Sequence, residues 1–293
     1  MDDKYSNLVA SPSATSKFVT DVVGFLEESG FDGLELQWQY PSCWSWDDDC
    51  TDKSGFTNLV KELHQAFKPK GLLVSAYVAP LENEIDRGYD VPAISEYLDW
   101  IAVMCHSYHG YWNGITGHVA PMYAQPHDYD DTYNTNFSIN HWIEKGADRR
   151  KLLMTMPLFG RTYRLRNTEN HGLGVSSSGA GEGQGIISYR TVCQNIINKG
   201  YTVVRDEEYR VGPYAYSGNQ WVSFDDALML KYKSEYIKSM GLGGAMVWSL
   251  DFDDYDNVCD CESFPLIKAV NRVLRNYGKP DPSCYLEIDN NIQ

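Results

Sequence analysis

Nowhere in its 293 residues does the chain hold a run of about 18 apolar side chains, so no segment has the length of a membrane-spanning helix. Positive charge is also scarce: 25 Lys and Arg stand against 40 Asp and Glu, a formal net charge of -15. Phosphate recognition needs a basic face, so nucleic acid is not an expected partner. The opening "MDDKYSNLV" lacks the basic and apolar regions of a secretory leader. A CxxC pair is missing, and Cys259-x-Cys261 is too tight for the usual zinc spacing, so no metal and no cofactor are expected. Internal repeats are absent as well.

What remains is 43% hydrophobic and 22% charged, a globular composition long enough for one large α/β domain or one with an inserted subdomain. Seven cysteines without a metal pattern point to structural disulfides, and therefore to an oxidising compartment and a secreted protein. Cys43 and Cys50 bracket a short loop rich in Trp and Asp that a disulfide would clip. The glycosylation acceptor Asn136-Phe137-Ser138 agrees with that compartment.

Five apolar runs have strand length: residues 31–38, 71–78, 100–105, 152–156 and 243–250. Between them Phe18, Val22, Val23 and Leu26 recur at one-face helical spacing, as do Phe56, Leu59, Val60, Leu63 and Phe67. Strand and helix in alternation predict a parallel sheet with helices outside it. The last interval is far longer than one βα unit requires. Residues 162–235 hold a Gly/Ser loop, "GVSSSGAGEGQG", then short alternating runs, which predicts a small inserted α+β subdomain. The expected division is a barrel portion over 1–161, the insert over 162–235, a last strand and helix over 236–278, and a tail or linker over 279–293.

In the first strand Glu35, Gln37 and Gln39 share one face, opposite Leu34, Leu36 and Trp38. A polar ladder inside a barrel is expensive to bury and normally serves catalysis at the C-terminal mouth or a hydrogen-bonded core layer. The stretch "DGLELQWQYP" resembles the signature of glycoside hydrolase family 18, the chitinases, in which Asp-Gly-x-Asp-x-Asp-x-Glu precedes Tyr-Pro. Further matches follow in order: "YDVPAISEYLDWIAVM", "GHVAPMY", "MPLFGRTY", "NQWVSFDD" and "GGAMVWSLDFDD". The cysteine loop "YPSCWSWDDDC" resembles arthropod members most. The resemblance implies a (β/α)8 TIM-barrel fold of class α/β, entered here near its third strand, so that about 100 residues of a complete barrel are not in the sequence at ~30 per βα unit. Five strands alone do not close an eight-stranded barrel.

The resemblance also exposes losses. Family 18 uses the substrate's own acetamido oxygen as nucleophile and one carboxylic acid as proton donor. The donor position holds Gln39, whose amide has no titratable proton near neutral pH, and the assisting Asp position holds Gln37. The family's Met-x-Tyr-Asp becomes Met104-Cys105-His106-Ser107, and Phe159 replaces a Tyr beside Arg161. Glu35 lies four strand residues back from Gln39, about 13 Å at ~3.3 Å per residue, and belongs to the core layer. His106 and His109 are the candidate substitute donors, and a His106, His109 and His118 metal site is the minor alternative to hydrogen-bonded or surface histidines.

The apolar half of a sugar site is implied by Trp248, Met104 and Met246, with Tyr40, Trp112, Tyr123, Phe159, Arg161 and Trp221 as further substrate-binding positions and Trp44 and Trp46 as weaker ones. Sugar C–H faces pack on aromatic planes, so such a platform binds without the acid. The resemblance pairs Cys193 with Cys259; Cys43 with Cys50 and Cys261 with Cys284 complete the expected set, leaving Cys105 a buried thiol. Three readings stand: an inactive chitinase-like protein that binds chitin or chito-oligosaccharides, an active chitinase with another acid, and a structural module of a multi-domain chitinase.

Overall fold

The computed structural model describes residues 3–41, 52–126, 128, 130–208 and 210–278. Nine helices are described: α1 (Asp3–Val9), α2 (Pro12–Ser29), α3 (Asp52–Phe67), α4 (Glu82–Gly88), α5 (Val91–Tyr97), α6 (Thr135–Glu144), α7 (Tyr189–Lys199), α8 (Ala227–Met240) and α9 (Pro265–Arg275). The strands are β1 (Gly33–Gln37), β2 (Leu73–Val78), β3 (Trp100–Val103), β4 (Leu152–Pro157), β5 (Phe159–Leu165), β6 (Ser177–Ala180), β7 (Ile186–Ser188), β8 (Thr202–Val204), β9 (Tyr214–Ser217), β10 (Gln220–Ser223) and β11 (Gly244–Trp248). Five of them form one sheet in the order β1-β2-β3-β4-β11, and each falls inside one of the five apolar runs to within a residue or two. The chain divides into two compact units, one of Met1–Met104, Ser138–Met154 and Gly241–Gly244, the other of Cys105–Phe137, Thr155–Met240 and Ala245–Gln293.

In the first unit, β1, β2, β3 and the start of β4 pair in parallel, Glu35 opposite Ser75 and Val78 opposite Val103. Gly33 is required at the head of β1, because a Cβ there would overlap the backbone carbonyl of Leu73. Helix α3 buries Phe56, Leu59, Val60, Leu63 and Phe67, the stripe read from the sequence. Helix α2 begins at Ser11, whose Oγ accepts from Ala14 N at 3.3 Å, has Pro12 in its first turn and closes on Gly30 at φ 70°. Its buried line runs through Val19 and Leu26, while Phe18, Val22 and Val23 are half-buried.

The second unit carries an antiparallel sheet in the order β6-β5-β10-β9-β8, with β7 also on β5. Its core is Tyr163, Leu165 and Trp221, packed by Leu173, Val175, Tyr214 and Tyr216. Trp221 was expected at the sugar surface. It is 1% exposed, stacks on Tyr214, and its Nε1 donates to the carbonyl of His171, so its indole is consumed by the sheet's core. The Gly/Ser stretch, read as loop, contains β6, because Ser and Gly fit an edge strand when β5 supplies the apolar partner. Cys193 on α7 is bonded to Cys259, as expected, and Cys105 is a free buried thiol. Cys261 is disulfide-bonded, while Cys43, Trp44, Trp46, Cys50 and Cys284 lie outside the described residues.

The glycosylation reading does not hold up in place. Asn136 sits in the first turn of α6 with its Oδ1 accepting from Tyr236 OH at 3.0 Å. Ser138 is fully buried, and its Oγ donates to the carbonyl of Pro80 at 2.6 Å.

Candidate functional site

Alternation along β1 in the first unit buries Leu36 and Trp38 and leaves Gln37 and Gln39 exposed, as a period of two requires. Trp38 stacks on Tyr5 at 5.1 Å and meets Phe56 edge-on at 6.1 Å, which anchors the backbone that carries Gln39. Glu35 is already engaged: Gln37 Nε2 donates to Oε1 at 3.1 Å and Ser75 Oγ to Oε2 at 3.3 Å. It acts as an acceptor between β1 and β2, in keeping with a core-layer role. Gln39 places its Nε2 4.0 Å from Met104 Sδ, and Tyr40 OH donates to the same sulfur at 3.3 Å. The proton-donor position therefore faces a thioether and a phenol.

Sequence reasoning missed one carboxyl in this unit. Burial pushes Glu84 on α4 up to about 7, against the lowering effect of the Leu81 backbone, and its Oε2 is buried without a hydrogen-bond partner. Burial also raises the Tyr40 phenol, and the Glu84 charge raises it further. The string "LENEIDRG" offers three acids in five residues and no sign of which one turns inward. Glu82, Asp86 and His141 bring ligand atoms within 4.8 Å of one another. Asp86 is held there by His141 Nε2 at 2.8 Å and Lys145 Nζ at 2.7 Å, so an ammonium already supplies the positive charge.

In the second unit the replaced motif is ordered around Arg161. Its Nη2 donates to Ser107 Oγ at 2.9 Å, and Ser107 Oγ lies 3.1 Å from His106 Nδ1. Ser107 adopts φ 61°, a left-handed conformation uncommon for a residue with a side chain. The guanidinium lies over the Trp112 ring at 5.1 Å and the Phe159 ring at 5.3 Å. Trp112 is 54% exposed, on a short turn over Tyr111–Asn113, and its ring lies so close to Gly110 that no side chain fits there. Phe159 is buried against Phe252 and the edge of His106, so it packs beneath the guanidinium and offers no surface of its own.

Trp248 ends β11 at 37% exposure, its carbonyl accepting from Leu158 N at 2.8 Å, and Met246 is half-buried behind it. Tyr123 is half-buried with its OH 3.4 Å from Tyr232 OH. The Trp112 and Arg161 pair is a contact between residues 49 apart that no local pattern announces.

His106, His109 and His118 are buried. Burial, then the Arg161 and Lys233 charges, push His106 down to about 3, so it is neutral across the physiological range. His118 is also pushed down to about 3, mainly by burial. Both His118 ring nitrogens are occupied, Nε2 against Phe224 O at 3.0 Å and Nδ1 accepting from Ala120 N at 3.1 Å. His109 is lowered by burial while Asp128, 3.5 Å from its Nε2, opposes the shift. His106 and His118 are therefore neutral at physiological pH and do not act as imidazolium donors there.

Comparison with known proteins gives this arrangement a family. The model for glycosyl hydrolases family 18 matches residues 1–253. The chain is 51% identical over 294 residues to Probable chitinase 10 of Drosophila melanogaster, covering 97% of this chain and 13% of that protein. It is 36% identical to the Endochitinase of Manduca sexta, covering 95% of this chain and 53% of that one, so it spans only part of these relatives. Among solved structures, catalytic domain 2 of the Ostrinia furnacalis Group II chitinase superposes with TM-score 0.91 at 46% identity, over 95% of this chain and 75% of that one. Human YKL-39, a pseudo-chitinase with retained chitooligosaccharide binding properties, superposes with TM-score 0.84 at 32% identity, over 92% and 76%. The fold is of the TIM-barrel type, and the chain belongs to the glycosyl hydrolases family 18.

Proposed function

We propose that this chain is a secreted chitinase-like protein that binds chitin or its oligosaccharides and does not hydrolyse them. The observation that carries this reading is Gln39, an amide where the resembled signature has its single proton donor. Without that acid the glycosidic oxygen leaves as an alkoxide, and general acid catalysis of about 10²–10⁴-fold is forfeited. Gln37 and Ser107 supply no carboxylate to offset the charge that develops on the acetamido group, and neutral His106 cannot replace the donor. Retention rests on Trp112 and Trp248, two exposed indoles that suit sugar C–H faces. Residues 162–235, with their antiparallel strands, are proposed as the inserted subdomain. The one described helix of 18 residues, α2, is not apolar enough to cross a membrane, and the Cys193–Cys259 bond suits an oxidising compartment.

A second reading has one observation in its favour. Glu84 titrates near 7, is partly buried, and acts on Tyr40, the neighbour of Gln39 in sequence. It is the carboxyl best tuned to serve as an alternative acid. Retention on chitin beads with chromatography of released sugars separates the readings. Binding that falls in Trp248→Ala, with no sugars released, supports the first. Sugars released by the parent and lost in Glu84→Gln establish the second, and neither binding nor release leaves a structural module.

A further inference from the structure

Arg161 is a partly buried cation without a carboxylate partner among the described residues. Among the described residues no carboxylate approaches its nitrogens within 4.0 Å, although Arg205, Arg190 and Arg272 in the same unit each have one. Its hydrogen bonding is equally incomplete: Nη2 reaches Ser107 Oγ, while Nε is buried with no acceptor. Burial pushes its pKa down, which registers the desolvation that an unpaired guanidinium suffers. The neighbours cannot supply the missing charge. His106 is neutral, Ser107 offers a hydroxyl already shared with the imidazole, and Trp112 and Phe159 contribute only ring faces.

A planar guanidinium sandwiched between rings, with donors left over, matches the two oxygens of a carboxylate. The exposed face of Trp112 beside it suits a sugar ring. We infer that Arg161, with Ser107 and the Trp112 ring, forms a subsite for a carboxylate-bearing hexosamine chain, so that the ligand supplies the counter-ion that the described residues do not. This rests on the saccharide-binding reading above and narrows its ligand class. A protonated amino sugar is disfavoured at the same place, because its ammonium meets the guanidinium. With a chain net charge of -15, long-range attraction of an anion is absent, so the preference appears as slower dissociation rather than faster encounter.

The test compares an N-acetylglucosamine tetrasaccharide with the same tetrasaccharide oxidised to carboxylates at C6, by titration calorimetry at about 0.15 M salt. The parent protein should bind the oxidised sugar about tenfold more tightly, the scale of one charge-assisted pair. Arg161→Gln removes the cation, and Ser107→Asp provides an internal carboxylate for it. Each should erase the preference, so that the ratio of the two affinities falls to about one whatever happens to the affinity for the neutral sugar, with thermal melting reporting that the fold is kept. A parent that binds both sugars equally, or prefers the neutral one, overturns this inference and leaves the saccharide-binding reading intact. A preference that survives in both variants removes Arg161 from it. Failure of the parent to bind either sugar overturns both readings together.

Discussion

At Gln39 one side-chain nitrogen stands where the resembled signature has a carboxyl proton, and the other replaced motif positions show that the exchange is not isolated. Gln37 donates to Glu35, and Ser107 accepts from Arg161, so each replacement has been absorbed into a local hydrogen bond. The double substitution Gln37→Asp with Gln39→Glu is therefore expected to stay at least about 100-fold below an active relative in product release, because Ser107 and His106 still hold no acetamido group. Activity approaching the relative's would show that the cradle is intact. Trp38 behaves differently. It is 1% exposed and wedged between Tyr5 and Phe56, so Trp38→Ala should cost about 3–5 kcal/mol in denaturant unfolding, with a much smaller loss refuting its anchoring role. Alternation put these neighbours on opposite faces of the strand, and the structure buries Trp38 and leaves Gln39 exposed. Sequence misplaced Trp221, whose motif position says nothing about the aromatic layer of Tyr163 and Tyr214 that encloses it.

Elements were more legible than side chains. The five strands of the first sheet follow from apolar runs, most plainly β2, β3 and β4, whose residues are nearly all buried. Strand β6 was missed for the converse reason: its Ser and Gly residues carry no strand propensity, and pairing with β5 imposes the conformation. The acidic run over 251–256 is partly drawn into the fold. Asp253 accepts from Ile267 N at 3.0 Å and Leu266 N at 3.3 Å, capping α9, and Asp254 accepts from Val258 N at 2.9 Å and Cys259 N at 2.8 Å. Asp253 and Asp254 are fully buried backbone acceptors, while Asp251 and Asp256 stay exposed. Asp254→Ala would strip two amides next to the disulfide of their acceptor, a loss of about 2 kcal/mol or more by chemical unfolding. A neutral result would mean the loop does not need it.

Across the whole molecule, two kinds of buried titratable group oppose each other. Asp225 and Asp253 are raised to about 6 and Glu84 to about 7, each mainly by burial, so the folded state holds their protons more tightly than the unfolded chain does. Their contribution is full below pH 4 and is lost as pH rises through 6 to 7. His106 and His118, lowered to about 3, work the other way: unfolding lets them protonate, and stability falls as pH drops from 6.5 toward 3. Three carboxyls outweigh two imidazoles above the unfolded carboxyl range, so maximum stability should sit at about pH 4–5 and decline toward neutrality, each unbalanced proton giving a slope of about 1.4 kcal/mol per pH unit. The Cys193–Cys259 bond, which closes a loop of 66 residues, acts on the unfolded chain instead and should contribute about 4 kcal/mol. Because one effect belongs to the native environment of the titrating groups and the other to chain entropy, they should add. Denaturation of the parent and of Cys193→Ser between pH 4 and 7, below the range where a thiol ionises, should give two curves of the same shape separated by a nearly constant offset. Curves that converge at either end would mean that the bond shapes the burial of Asp225 or Asp253, both of which lie inside the loop it closes.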